Sequence, residues 1–278
     1  MASPASAPLR FTTWLSPGLS RGLFEAIAAH VADGLGRRHE VSVESKMSGP
    51  LSPQDDRFAN GTTDIGFICP PSYLWLTDGP IPSIELVPLA PVHADPRNGG
   101  RPSYFSDVVV RADADIGSFA DLAGRRVGYN ERASLSGFVS LLSRLDHDGL
   151  DVGFFGELRQ VGSHRRALAL IESGEIDAAA IDANVLRTWR AERTDGGAVV
   201  RSADVLGPFP VQPVVVRSGA EPGLAAAVAE QLARPELVAA VSRFGISGFA
   251  PVTHEDYAAL GPLVERANAL VPVAIDRA

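Results

Sequence analysis

The tetrad Ser134-Leu135-Ser136-Gly137 is the stretch of this sequence whose residue types and placing most directly suggest chemistry. It follows a segment, Arg126 to Tyr129, that reads as a strand, and it leads into one, Ser136 to Leu145, that reads as a helix. A helix start offers N–H groups without an intrahelical acceptor and about half a positive charge, so hydroxyls placed there suit a phosphate-like anion. The plainer reading is that Ser134 or Ser136 only caps the helix. His164 sits in the first turn of a second expected helix, Ser163 to Ser173, closed by Gly174, and by itself reads as a surface histidine. Asp182 joins an expected strand, Ile176 to Ile181, to a helix reaching Trp189; it reads as that helix's N-cap. A carboxylate beside an anion is costly unless it accepts a proton, so Asp182 would also suit a ligand bearing P–OH or an ammonium group.

The elements that must position these residues alternate between strand and helix. Leu9 to Trp14 reads as a strand, followed by a helix N-capped by Ser20 with Leu23, Phe24, Ile27, Val31 and Leu35 at helical spacing. Val41 to Ser45 reads as a strand, Gln54 to Ala59 as a short helix, Asp64 to Ile68 as a buried strand, and Pro70-Pro71 as the opening of the next helix. Glu85 to Pro91 adds a strand before a loop rich in turn formers, His93 to Pro102, after which the same alternation restarts with Val108 to Val110. Val214 to Val216 reads as a strand returning to the first lobe, with helices expected over Pro222 to Leu232, Pro235 to Phe244 and His254 to Leu270. This grammar predicts an α/β protein of two lobes, each a mostly parallel sheet flanked by helices. The lobe boundaries expected are 1–104 with 213–278 for the first and 105–212 for the second.

Composition narrows the function. A chain of 278 residues exceeds the size at which one core stops growing, consistent with two lobes. Its 45% apolar and 21% charged residues are those of an ordinary globular protein, which excludes extended disorder. A net charge of −8 with no basic run argues against a nucleic-acid partner. The single cysteine, Cys69, excludes an intramolecular disulfide, and no Cys/His spacing suggests a metal. No phosphate-binding Gly-x-x-x-x-Gly-Lys loop, His-Glu-x-x-His motif or Gly-x-Ser-x-Gly elbow is present, so neither cofactor nor metal is expected. No stretch reaches the ~18 apolar residues of a membrane span, and the start lacks a signal-type h-region. The chain as it stands therefore reads as cytoplasmic, or as periplasmic or cell-surface if an export signal has been removed.

Several stretches, in order, resemble the phosphonate- and phosphite-binding components of ABC importers, members of the type II periplasmic binding-protein superfamily. They are Asp64-Ile65-Gly66-Phe67 through Pro71-Ser72-Tyr73, Tyr104-Phe105-Ser106, the tetrad Ser134 to Gly137, Gly162-Ser163-His164, and Gly174 through Asp182. The resemblance implies a two-lobed fold with its ligand cleft between the lobes. It implies that Ser134, Ser136 and the loop backbone, including Leu135 and Gly137, wrap the anionic head group, and that His164 faces the cleft as a further donor, making affinity pH-dependent. Asp182 stands where the family places an acidic group, and Tyr73 and Tyr104 look like its phenol donors and walls; otherwise they are half-buried packing with the hydroxyl wet. Trp14 joins them only by its place at the end of the first strand. The middle tetrad position is commonly threonine in that family, so Leu135 removes one hydroxyl.

The function expected is therefore capture of a small anionic ligand (a phosphonate, phosphite or phosphate analogue) by lobe closure, without catalysis, with an ABC permease as partner if the protein is exported. The alternative is a cytoplasmic enzyme on the same scaffold, a lyase or ring-rearranging enzyme similar to those of menaquinone and thiamine biosynthesis. In that case His164 or Asp182 would carry the proton.

Overall fold

A computed structural model describes residues 7–16, 18–44 and 48–270. It divides into two compact units, one formed by the chain up to Ser103 together with Pro210–Tyr257, the other by Tyr104–Phe209 together with the chain from Ala258.

In the first unit β1 (Leu9–Thr13), α1 (Arg21–Gly34), β2 (His39–Val43), β3 (Ile65–Phe67), α2 (Pro70–Thr77) and β4 (Ile84–Leu86) follow the expected order. Ser45, placed in a strand by the sequence, lies outside the described residues. β11 (Val214–Arg217) completes a sheet of order β2-β1-β3-β11-β4, in which β1 runs parallel to β2 and β3 while β11 runs antiparallel to β3 and β4. The sheet is thus mixed rather than mostly parallel, because β11 re-enters from the opposite direction. Leu23, Phe24, Ile27 and Val31 of α1, four of the five residues read at helical spacing, are buried, while Leu35 is the half-buried C-cap residue. Arg10 grips Asp64 through Nε and Nη2 at 2.9 and 2.7 Å, tying the start of β1 to the entry of β3.

Two expectations fail here for local reasons. Gln54 to Ala59 forms turns, not a helix. Asp56 Oδ1 takes the N–H groups of Phe58 and Ala59 at 2.9 and 3.0 Å, and Asn60 Oδ1 takes that of Thr62 at 3.1 Å, so side chains compete with the helical ladder. Glu85 to Pro91 splits at Val87-Pro88: β4 stays in the main sheet, whereas β5 (Leu89–His93) pairs antiparallel with β12 (Ile246–Pro251). Pro88, lacking an N–H, cannot continue a ladder.

The second unit contains β6 (Ser103–Arg111), β7 (Arg126–Tyr129), α3 (Ser140–His147), β8 (Glu157–Gln160), α4 (His164–Ser173), β9 (Ala178–Asp182), α5 (Ala183–Ala191) and β10 (Val200–Pro210). Its sheet runs β10-β6-β9-β7-β8, with β7 parallel to β8 and β9, and β6 antiparallel to β9. This sheet too is mixed. Val108, Val109 and Val110 of β6 and Ala178 to Ile181 of β9 are almost wholly buried, as expected of strands covered on both faces.

After β11 the chain forms α6 (Leu224–Leu232), α7 (Pro235–Val241), α8 (His254–Ala258) and α9 (Gly261–Ala269). The continuous helix expected over His254 to Leu270 is two helices. The expected boundaries kept the whole C-terminal stretch with the first lobe, but α9 packs on α3 of the second unit, where Arg266 Nε donates to Asp146 at 2.9 Å and Ala267 is buried. Among the described residues no helix is long and apolar enough to cross a membrane.

Candidate functional site

The second unit assembles most of the residues singled out. From β7 the chain passes through α3 to β8 on one side, and from β9 it passes through α5 to β10 on the other. The carboxyl ends of β7 and β9 therefore flank the point where the direction of winding reverses, the usual ligand position in open α/β sheets. Asn130 and the tetrad follow β7; Asp182 ends β9 and Asn184 lies in the first turn of α5.

Ser134 is the N-cap of the tetrad's turn, its Oγ accepting the Gly137 N–H at 3.0 Å. The first turn, Leu135–Val139, is wider than an α-turn, with Val139 N donating to Ser134 O at 3.1 Å, and α3 continues from it. Such wide turns recur at functional sites. The capping and ligand-facing readings of Ser134 are compatible, since a hydroxyl accepting one N–H keeps its own proton to donate. Ser136 is held by its carbonyl, which receives the hydroxyls of Ser106 at 2.7 Å and Ser140 at 2.5 Å. Ser106 stands opposite Asp182 in the β6–β9 register, so the sheet itself fixes this anchor. The Leu135 side chain is fully buried.

Gly137 has a steric reason to be glycine. A Cβ there would lie 1.8 Å from Asn130 Oδ1 and 3.0 Å from His164 Cε1. Asn130 and His164 therefore pack against the bare backbone of the turn, and the residue that follows β7 meets the first residue of α4 through that gap.

His164 is 9% exposed, which excludes a surface histidine. Ser136 Oγ lies 3.2 Å and Asn130 Nδ2 3.4 Å from its Nε2. An amide donor approaching Nε2 requires that nitrogen to be unprotonated, an assignment made from the network. Burial pushes the imidazole down to about 4, while the Ala180 carbonyl works in the opposite sense. The ring is neutral at physiological pH, and any protonation-linked change in affinity moves from the neutral range to near pH 4.

Asp182, 3% exposed, caps α5: its Oδ1 accepts from Asn184 N at 2.8 Å and Val185 N at 3.4 Å. Tyr104 is buried beside Phe209, with ring centroids 6.2 Å apart. Trp14 and Tyr73 belong to the first unit and share one apolar cluster there with Phe58, Ile68 and Tyr257. Trp14 stacks on Phe58 at 5.7 Å. The Tyr73 hydroxyl, expected to be wet or ligand-facing, is 2.9 Å from His254 Nδ1, and burial pushes the phenol up to about 12. Sequence reasoning missed Asn130 and Asn184 as members of the second unit's group. Their signal was available in outline, as polar residues immediately after a strand and at a helix start. Among the described residues no three His, Cys, Asp or Glu side chains come together as a metal site would need.

A family model described as the periplasmic substrate-binding protein of phosphonate ABC transporters matches residues 13–257. The chain belongs to this family. Solved structures show the same fold. The binding-protein component of a phosphonate ABC transporter from Pseudomonas aeruginosa superposes with a TM-score of 0.77 at 14% identity, over 96% of this chain and 90% of that one. PhnD1 from Prochlorococcus marinus, in complex with methylphosphonate, gives 0.77 at 14% identity over 94% and 98%. XAC2383 from Xanthomonas citri, bound to ATP, gives 0.69 at 19% identity over 95% and 98%. Of the two functions drawn from the sequence, a binding protein is favoured over a biosynthetic enzyme, and the two-lobed periplasmic-binding-protein fold stands.

Proposed function

We propose that this protein captures a small phosphorus oxyanion, a phosphonate, phosphite or phosphate analogue, as the solute-binding component of an ABC importer, with its permease as partner. The observation that carries the reading is the Ser134–Gly137 turn. It is a capped helix start with two buried serines, anchored by Ser106 and Ser140 and backed by His164, at the switch point of its sheet. Phosphorus oxyanions named for the solved relatives, methylphosphonate and ATP, are of the same chemical kind.

In this reading the resting hydroxyl of Ser136 donates to neutral His164, and an arriving anion draws that proton away from the imidazole by rotation about the Cβ–Oγ bond. His164 thus holds the hydroxyl in place and contributes no charge. Asp182 orders the first turn of α5 beside the anion, and Leu135, fully buried, brings no hydroxyl to it. Titration calorimetry with methylphosphonate, phosphite, phosphate, sulfate and small carboxylates tests this. Selective heat with the phosphorus compounds supports the reading, and binding of carboxylates alone would overturn it.

A further inference from the structure

The amino ends of β1 and β3 and, because β11 runs antiparallel to β3, the carboxyl end of β11 meet at one end of the first unit's sheet. There Arg10, Arg37, Asp64, Arg217 and Glu221 line a cleft of about 480 Å³, at the opposite end of the strands from the Pro70-Pro71 helix start. Three guanidinium groups face two carboxylates, which leaves one positive charge in a chain whose net charge is −8. Their engagement is unequal. Arg10 donates through Nε and Nη2 to Asp64 and through Nη1 to the Gly61 carbonyl. Arg37 donates through Nε and Nη2 to the Ala7 carbonyl at 3.3 and 2.8 Å, and through Nη1 to Glu221 at 3.0 Å. Arg217 has one side-chain contact, Nη2 to Asp64 Oδ1 at 3.5 Å, and its buried Nε has no partner. Asp64 is already gripped by Arg10, and Glu221, 68% exposed, offsets little charge inside the cleft. A guanidinium presents five donors in a planar fork, so one held by a single long contact is short of an acceptor. The second unit supplies a comparison. Its cleft of about 290 Å³ is lined by Arg111 and Arg126, yet each of these holds a carboxylate of its own, Asp113 and Asp177, both at 2.7 Å.

We propose that the cleft around Arg217 is a second anion site, in a different unit from the Ser134–Gly137 turn, and that it takes a small, multiply charged organic anion bearing carboxylate or phosphate groups. Arginine forks match both head groups bidentately. The cleft is larger than an inorganic ion needs, and Pro8 and Ala220 offer half-buried apolar wall to a short carbon body. Arg217 supplies the fork, because it gives up only one long contact to turn toward the anion. Arg10 and Arg37 stay on Asp64 and Ala7 and add their field. The site stands independently of the reading under Proposed function.

Calorimetric titration of citrate and of glycerol 3-phosphate at low salt into wild type, Arg217→Gln, Glu221→Gln and Ser136→Ala tests it. Wild type should bind at least one probe; citrate alone marks a carboxylate site and glycerol 3-phosphate alone a phosphate site. Arg217→Gln should weaken that binding about tenfold or more, with its melting temperature little changed because one long contact is lost. Glu221→Gln removes the exposed carboxylate and should tighten binding about two- to fivefold, a gain that misfolding cannot imitate. Ser136→Ala should bind the probe as wild type does. No binding of either probe by wild type, or equal affinity in Arg217→Gln, would overturn the proposal. So would a signal lost in Ser136→Ala and kept in Arg217→Gln, which would belong to the turn. Should Arg217→Gln melt well below wild type, Glu221→Gln decides, and unchanged affinity there overturns the proposal.

Discussion

Lowering the pH should destabilise this protein through His164 in a way that can be isolated by one substitution. Burial holds the folded imidazole at about 4 against an ordinary value of 6.5. The unfolded chain therefore takes up a proton as pH falls through 6.5, while the native state refuses it until about 4. Stability contributed by the neutral ring is complete above pH 6.5 and is lost between 6.5 and 4. A shift of that size corresponds to about 3 kcal/mol over the window, at 1.36 kcal/mol per unit. Urea unfolding at pH 7.5, 5.5 and 4.5 on wild type and His164→Gln supplies the assay, because the other titrating groups cancel in the difference. The gap between the two proteins should move by about 2.5 kcal/mol in favour of the variant between pH 7.5 and 4.5. Parallel pH profiles, or an NMR titration of His164 near 6.5, would refute the argument and with it the neutral ring behind Ser136.

Three further substitutions probe contacts of the site and of the first unit. Gly137→Ala must displace Asn130, because its Cβ would meet Oδ1 at 1.8 Å; melting temperature and anion affinity should both fall, and a variant indistinguishable from wild type would contradict the packing described. Ser106→Ala removes one of two hydroxyls on the Ser136 carbonyl and should cost about 1 kcal/mol in denaturant unfolding, with weakened anion binding as the anchor loosens. Tyr73→Phe removes the hydroxyl facing His254 and should cost about 1 kcal/mol of stability while leaving anion affinity unchanged by calorimetry. A loss of affinity there would return Tyr73 to the ligand.

Much of the fold was legible because its elements obey local rules. The stripe Leu23, Phe24, Ile27 and Val31, the Pro70-Pro71 helix start, the Gly174 stop and the Asp182 cap each appear where spacing and turn chemistry put them. The strands β8, β10 and β12 escaped notice for the converse reason. They read Glu-Leu-Arg-Gln, a long stretch broken by Arg201, Ser202 and Asp204 and ending in Gly-Pro-Phe-Pro, and Ile-Ser-Gly-Phe-Ala-Pro, and they lie at sheet edges, where pairing rather than an apolar run makes the strand. The antiparallel entry of β11 and the attachment of α9 to α3 depend on contacts between residues far apart in sequence, which no local pattern records. In the site, the tetrad was visible because hydroxyls and a glycine stand at a helix start. The burial that neutralises His164 and the clash that requires Gly137 arise only when β7 and α4 are brought together.

Binding of a phosphorus oxyanion by the Ser134–Gly137 turn is tested by calorimetric titration of methylphosphonate, phosphite and phosphate into wild type and Ser136→Ala. Loss of a donor to a charged group is worth about 1.5 to 3 kcal/mol, so the variant should bind roughly 10- to 150-fold more weakly than wild type with its melting temperature little changed. Equal affinity in the two proteins, or no binding of any phosphorus oxyanion by wild type, would contradict the account.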